Sequence, residues 1–167
     1  MITFIESFSR ELEQEATGTR KLLALVPADK FDWKPHPKSM SLKSLATHIA
    51  EIPGWVTMSL KTNELDFSKE PYNPKDCKNA AELVEYYEQK VAEARATLGN
   101  YKDDILDESW TMRNGDQVYF TMSKLDIIRH SLCQLVHHRA QLGVYLRLLD
   151  IPIPGVYGPS ADETGMF

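Results

Sequence analysis

The sequence predicts an all-α protein, a four-helix bundle with a small β-hairpin before the last helix. Four segments repeat apolar residues at helical spacing, and one short segment alternates apolar and polar residues around Asn114 and Gly115. The chain has 167 residues, which is long enough for a hydrophobic core and typical of one domain. We therefore expect residues 1–167 to form a single domain.

The first helix is predicted over roughly residues 3 to 26, and Pro27 follows its end. Its apolar face repeats at steps of three and four residues, as in a helix that packs on a core. That face is formed by Ile5, Phe8, Leu12, Ala16, Thr19, Leu23 and Val26. Beyond it, Pro35 and Pro37 exclude a helix around His36, which we interpret as an exposed loop residue rather than part of a site.

The second helix is predicted to begin at Ser41, a favourable N-cap, and to kink at Pro53 and Gly54. His48 falls on its apolar face. A single core histidine usually only closes hydrogen bonds, but here another helix offers further imidazoles. Glu51 lies one turn from His48 and either accepts a hydrogen bond that fixes its tautomer or is a surface carboxylate.

Residues 64–78 are polar and contain two prolines, so we expect a long loop over one end of the bundle. Asn79 and Glu82 then form the pattern of a capping box, and the third helix follows from Ala80 to Leu98. Next, the apolar alternation on either side of Asn114 and Gly115 predicts a hairpin.

The last helix is predicted from Ser123 to Asp150. Its packing seam is formed by Leu125, Ile128, Leu132, Leu135, Leu142, Leu146 and Leu149. Arg139 fills the one gap in this seam, where we expect it to pair with Glu51 or another acid, or else with a substrate carboxylate. Cys133 belongs to a second apolar flank and is predicted to be a small buried residue. The segment after Asp150 is expected to pack back on the bundle.

The remaining side of the last helix carries imidazoles and amides instead of the usual lysines and glutamates. These residues are His130, Gln134, His137, His138 and Gln141. Neutral imidazole is the commonest metal ligand in proteins, so this polar sector predicts a metal or functional site. The alternative is a set of half-buried polar side chains that only bond to one another.

Composition excludes several classes of partner. The formal net charge of −5 argues against a nucleic-acid partner, because phosphate binding needs a basic surface. No apolar run approaches the roughly 20 residues of a membrane span, and the first residues do not resemble a signal peptide. Two cysteines make no disulfide framework, so we expect a cytoplasmic protein without membrane attachment.

Several stretches together resemble the DinB-like family, also called the YfiT-like family of metal-dependent hydrolases. They are FDWKPHPKSMSLKSLATHIAEIPGW, the SWTM and NG of the hairpin, HHRAQLGVYLR and IPGVYGPSADE. The resemblance implies a four-helix bundle, usually dimeric. It also implies a divalent metal held by one histidine of the second helix and two of the last helix, four residues apart.

Carried over residue by residue, the resemblance assigns the metal ligands as His48, Gln134 and His138, with glutamine where the family usually has histidine. An amide oxygen is a weaker ligand than imidazole for zinc or nickel. Either Gln134 ligates weakly, or His130 or His137 replaces it, or the site has lost its metal.

The resemblance further implies a thiol transferase or hydrolase acting on a small molecule, with a low-molecular-weight thiol as a candidate substrate. The alternative is a non-catalytic dimeric binding module related to stress, with a degenerate metal site. The sequence contains no glycine-rich phosphate loop and therefore gives no indication of a nucleotide cofactor. No catalytic residue is identified.

Overall fold

The computed structural model describes residues 1–163, which form five α-helices and one three-stranded sheet. The helices are α1 Phe4–Leu23, α2 Leu42–Glu51, α3 Pro53–Lys61, α4 Ala80–Leu98 and α5 Lys124–Leu148. The strands are β1 Glu64–Asp66, β2 Ser109–Asn114 and β3 Gln117–Ser123. The all-α prediction is therefore confirmed in that the protein is mostly helical. The sheet, however, is larger than the predicted hairpin.

Side-chain caps fix where the helices begin. Thr3 and Glu6 form a reciprocal capping box at the start of α1, with bonds of 3.1 and 2.9 Å. The predicted N-caps Ser41, Asn79 and Ser123 each accept a bond from a backbone N–H three residues later. Each cap satisfies an N–H group that has no partner inside its helix, so these boundaries are set locally.

The predicted second helix is two helices that meet at Ile52. The break falls where Pro53 begins α3, because proline has no N–H to donate back into α2 and its ring crowds the preceding turn. Proline is well suited to the first position of a new helix. The break leaves His48 in the last turn of α2 and Trp55 in the first turn of α3.

The core lies between α4 and α5 on one side and α1, α2 and α3 on the other, since α4 and α5 each contact all three. The α5 seam is buried from Ile128 to Leu146, including Arg139. The prediction for Cys133 is wrong, because its side chain is exposed. No described element covers that flank of α5, and Val144 beside it is 59% exposed. Cys77, by contrast, is fully buried before α4.

The sheet contains a strand that the sequence did not predict. Residues 64–66 lie within the segment expected to be loop, yet they pair in parallel with β2, Leu65 facing Met112. The predicted hairpin is confirmed as the antiparallel pair of β2 and β3. Gly115 turns it with a φ of +57°, a conformation that glycine adopts without strain.

Asp66 links this extra strand to the hairpin turn. Its Oδ1 accepts bonds from the Gly115 N–H at 2.9 Å, the Ser68 N–H at 3.0 Å and the Ser68 hydroxyl at 2.7 Å. These donors, the Gly115 N–H foremost, hold the pKa of the Asp66 carboxyl far below its ordinary value of 3.8. The ionised form is therefore the one that the fold stabilises.

Asp66→Asn is expected to destabilise the protein at neutral pH and to make unfolding less sensitive to acid. Because the folded-state pKa is depressed, Asp66 contributes its full stability above the ordinary pKa and loses it as the pH falls through the lowered value. Urea unfolding of the unaltered protein and the variant, measured from neutral pH into acid, should show a difference in the free energy of unfolding that disappears as the pH falls. A gap that stays constant with pH would contradict this assignment.

The segment after α5 packs back on the bundle, as predicted, for its described part up to residue 163. Tyr157 donates to Glu15 Oε1 at 2.5 Å and lies over the guanidinium of Arg139 at 5.2 Å. Arg147 pairs with Asp162 at 2.5 Å. The rest of the predicted segment, residues 164–167, lies outside the described residues.

Arg139 and Glu15 form a buried ion pair between α5 and α1. Their side chains are 3% and 4% exposed, and Arg139 Nη1 lies 2.5 Å from Glu15 Oε2. The same nitrogen donates to the Glu15 carbonyl at 3.1 Å and the Thr19 hydroxyl at 3.3 Å. The acid that Arg139 meets is therefore Glu15 and not Glu51, and the guanidinium is committed to the core.

None of the helices between residues 1 and 163 combines the length and the apolar content needed to cross a membrane.

Candidate functional site

The structure brings together two of the three predicted metal ligands, His48 of α2 and His138 of α5. Their ring centroids are 4.8 Å apart and the rings meet edge to face. Both side chains are half-buried, so the pair lies at the junction of two packed helices and not on a free surface. Helix bundles build metal and cofactor sites from side chains on facing helices, and two imidazoles at this distance fit that pattern.

The tautomer of His48 is set by Glu51, which is one of the two roles that the sequence left open for this carboxylate. His48 Nδ1 lies 2.7 Å from Glu51 Oε1, and a carboxylate oxygen accepts, so Nδ1 carries the proton. In the neutral ring this leaves the lone pair on Nε2. Trp55 packs its ring edge-on against the imidazole at 5.6 Å and further restricts its orientation. A histidine held by a carboxylate in this way is typical of a metal ligand.

The tautomer of His138 is set by Gln141. The Gln141 Oε1 accepts from His138 Nδ1 at 2.9 Å, while its Nε2 donates to His137 Nε2 at 3.1 Å. The two bonds use both ends of one amide, so each supports the same orientation of that side chain. His138 consequently also has its lone pair on Nε2.

Burial lowers the pKa of His138 below its ordinary value of 6.5. The neighbouring His48 and His137 act in the same direction, against the bond to Gln141, which raises the pKa. His138 is therefore neutral at neutral pH. A neutral imidazole with a free Nε2 is the form that ligates a metal or accepts a proton.

The third predicted ligand, Gln134, is not joined to this pair by a hydrogen bond. It lies one turn before His138 on α5, but its amide Nε2 donates to His130 Nε2 at 3.3 Å. His130 and His137, the two possible replacements, thus each bond to a glutamine. Both residues therefore take part in hydrogen bonds within the polar sector, His130 as a half-buried side chain and His137 as an exposed one.

Within residues 1–163, no three His, Cys, Asp or Glu side chains lie together as a metal-binding group. The donor chemistry nevertheless fits a divalent cation through two imidazoles, since both have their Nδ1 occupied and their Nε2 lone pair free. Gln134, four residues from His138 and so on the same helix face, is the available third donor. His36, by contrast, lies exposed in the loop before α2, as predicted.

Tyr72 belongs to this site and was missed by the sequence analysis. Its hydroxyl donates to Glu51 Oε1 at 2.8 Å, the same oxygen that His48 uses. Tyr72 is 59% exposed, but partial desolvation of its hydroxyl raises the pKa, and the bond to Glu51 raises it further, so the hydroxyl stays protonated as a donor. Tyr72 lies in the segment between β1 and α4, and nothing in its local sequence distinguishes it from an ordinary loop tyrosine.

The arrangement can therefore hold a positive species between two oriented imidazoles. Tyr72 donates to Glu51 of α2, which in turn holds His48, while Gln141 holds His138 in a similar way on α5. Fixed orientation matters because ligands already in place lose little conformational freedom when a ligand or substrate binds.

Comparison with known proteins finds a matching family model and a similar sequence. The sequence model of the DinB family matches residues 1–165. A Bacillus subtilis protein described as the uncharacterized protein YrdA is 25% identical over 174 residues, covering 100% of this chain and 96% of its own length.

Two solved structures have a similar fold. A DinB-like protein from Bacillus subtilis superposes with a TM-score of 0.70 at 16% identity, covering 90% of this chain and 97% of its own. A DinB-like protein from Bacillus cereus gives a TM-score of 0.68 at 19% identity, covering 91% of this chain and 97% of its own. At these identities the likeness concerns the fold alone.

Proposed function

The chain belongs to the DinB family, and from this premise we propose that it is a metal-dependent enzyme with a divalent ion held at His48 and His138. The observation that carries the proposal is the pair of oriented imidazoles, 4.8 Å apart, each with its Nδ1 bonded and its Nε2 free. Gln134 is the third protein ligand in the proposal. Zinc and nickel suit imidazole ligands best.

Each residue of the proposed site has a separate role. His48 and His138 provide the two strong ligands, Glu51 and Gln141 hold their tautomers, and Tyr72 holds Glu51. A divalent ion with open coordination positions makes a coordinating thiol or water more acidic, which supports thiol transfer or hydrolysis. We infer that the substrate class is a small molecule, with a low-molecular-weight thiol as the first candidate.

The helical arrangement favours this placement. Because α2 and α3 follow one another across a single residue, we treat them as one broken helix and the helical part as a four-helix bundle. In such bundles, ligands on facing helices project into the space between them. His48 and His138 have this relationship, since α2 contacts α5.

His48→Ala and His138→Ala are each expected to remove the bound metal almost completely, because each deletes one of only two strong ligands. The measurement is elemental analysis of untagged protein after reconstitution with zinc or nickel. His36→Ala is the matched control, since it deletes an exposed imidazole and should leave the metal content unchanged. Full occupancy in His48→Ala would contradict the proposed site.

A second candidate function is a non-catalytic binding module with a lapsed metal site. The observation that favours it is that, within residues 1–163, no group of three His, Cys, Asp or Glu side chains is arranged to hold a metal ion. Under this alternative, unaltered protein takes up no zinc or nickel on reconstitution, and a chelator leaves its melting temperature unchanged. Under the metal proposal, ligand binding to the folded state raises that temperature.

A further inference from the structure

A cavity of about 560 Å³ adjoins the histidine pair. Glu51 and Trp55 line it, and both also contact the His48 ring. The cavity therefore shares two of its lining side chains with the surroundings of His48. Its volume falls in the range of small-molecule pockets, which lie between about 300 and 1,000 Å³.

Four aromatic side chains from three parts of the chain line this cavity. Trp55 belongs to α3, Phe67 and Tyr72 to the segment after β1, and Tyr86 to α4. Aromatic faces bury a large apolar area and also attract cations, because the face of the ring is negative. These walls favour a ligand with a flat apolar body.

Glu51 gives the cavity one polar end. Its side chain is only 10% exposed. Its Oε1 accepts two bonds, from His48 and Tyr72, whereas its Oε2 accepts none from the described residues. A carboxylate can accept about four bonds, and Oε2 is not among the fully enclosed polar atoms, so a molecule in the cavity can reach it. The free oxygen therefore favours a ligand that donates hydrogen bonds.

The charges around the cavity favour a cation over an anion. Glu51 and Glu70 line it together with one cation, Lys90. The Lys90 ammonium is already paired with Glu93 at 2.9 Å and lies 5.7 Å from the Tyr86 ring. Its charge is therefore largely balanced, while that of Glu51 is not.

We propose that this cavity binds a protonated amine on an aromatic or similarly flat apolar body, with the ammonium on Glu51 Oε2 and the body among the aromatic walls. The role of this amine as the substrate rests on the proposed function, but its binding does not. Binding is therefore tested on metal-free protein, so that a failed metal site and a failed pocket give different results.

The test compares three probes of one shape by isothermal titration calorimetry: 2-phenylethylamine, 2-phenylethanol and 3-phenylpropionate. The amine is expected to bind at least about tenfold more tightly than either of the others, since charge-assisted hydrogen bonds are the stronger ones. Equal binding of all three, tighter binding of the carboxylate or no binding of the amine would overturn the proposal. These three titrations are made with the unaltered protein.

Two substitutions locate the site. Glu51→Gln should reduce amine affinity to that of the alcohol, and Trp55→Ala should weaken all three probes together. Glu88→Gln is the matched control, because it removes a carboxylate of α4 that pairs with Arg20 and does not line the cavity. Retention of amine selectivity in Glu51→Gln would assign the ammonium to another carboxylate and overturn the proposal as stated.

Discussion

Gln134→His is expected to raise the affinity for zinc or nickel by at least about a hundredfold, the upper range for altering the surroundings of a metal ligand. The reason is that an imidazole replaces an amide at the one weak position of the proposed site, four residues before His138 on the same face of α5. The substitution also removes the hydrogen bond that Gln134 makes to His130, which the structure shows at 3.3 Å.

The measurement is a competition titration against a metal-binding dye. Arg129→His is the matched control, because it adds an imidazole to an exposed position of the same helix outside the polar sector. If both variants gain the same affinity for the metal, the gain comes from an added surface imidazole and not from the proposed site. A Gln134→His variant that binds no better than the unaltered protein would show that position 134 cannot reach the metal.

Arg139→Ala is expected to lower the free energy of unfolding by about 3–5 kcal/mol, the range observed when one partner of a buried ion pair is removed. The substitution leaves the Glu15 carboxylate, 4% exposed, with the Tyr157 hydroxyl as its remaining described donor. It also removes the bonds to the Glu15 carbonyl and the Thr19 hydroxyl.

Urea unfolding measures this loss, and Arg129→Ala serves as the control for removing an exposed arginine from α5. Surface substitutions of that kind usually change stability by less than about 0.5 kcal/mol. Replacing both partners, as Glu15→Gln with Arg139→Met, should restore part of the loss, because no uncompensated charge remains buried. A loss for Arg139→Ala no larger than that of the control would show that the pair contributes little.

The helices could be predicted from the sequence because their signals are local. Ser41, Asn79 and Ser123 cap their helices through bonds to residues three positions away, and Pro53 breaks a helix through its own missing N–H. The main buried seam of α5, from Ile128 to Leu146, also follows from its apolar spacing. These features depend on few residues and do not require knowledge of the partner element.

The features that the sequence did not predict all depend on distant partners. The three residues of β1 are too few to show alternation, and they form a strand only because β2 pairs with them. Cys133 was assigned to a packed flank, but apolar spacing does not tell whether another element covers that flank. Arg139 was expected to meet an acid, yet only the packing of α1 on α5 identifies Glu15.

The candidate site divides in the same way. His48 and Glu51 are one turn apart, so their hydrogen bond was one of the two roles that the sequence allowed for Glu51. The family resemblance identified His138 as the partner across the helices. Tyr72 could not be predicted, because its bond to Glu51 spans 21 residues and depends on how the segment after β1 crosses α2 and α3. Gln141 was placed on the correct face, but its role follows only from the geometry.

The exposure of Cys133 has a practical consequence for measuring events at the site. The chain has two cysteines, and Cys77 is fully buried, with burial raising the pKa of its thiol. Thiolate is the reactive form, so a maleimide dye reacts selectively with Cys133. That residue lines a hollow of about 290 Å³ with His130, Gln134 and His137. The native chain thus accepts a fluorescent reporter beside the weak ligand position without any engineered cysteine.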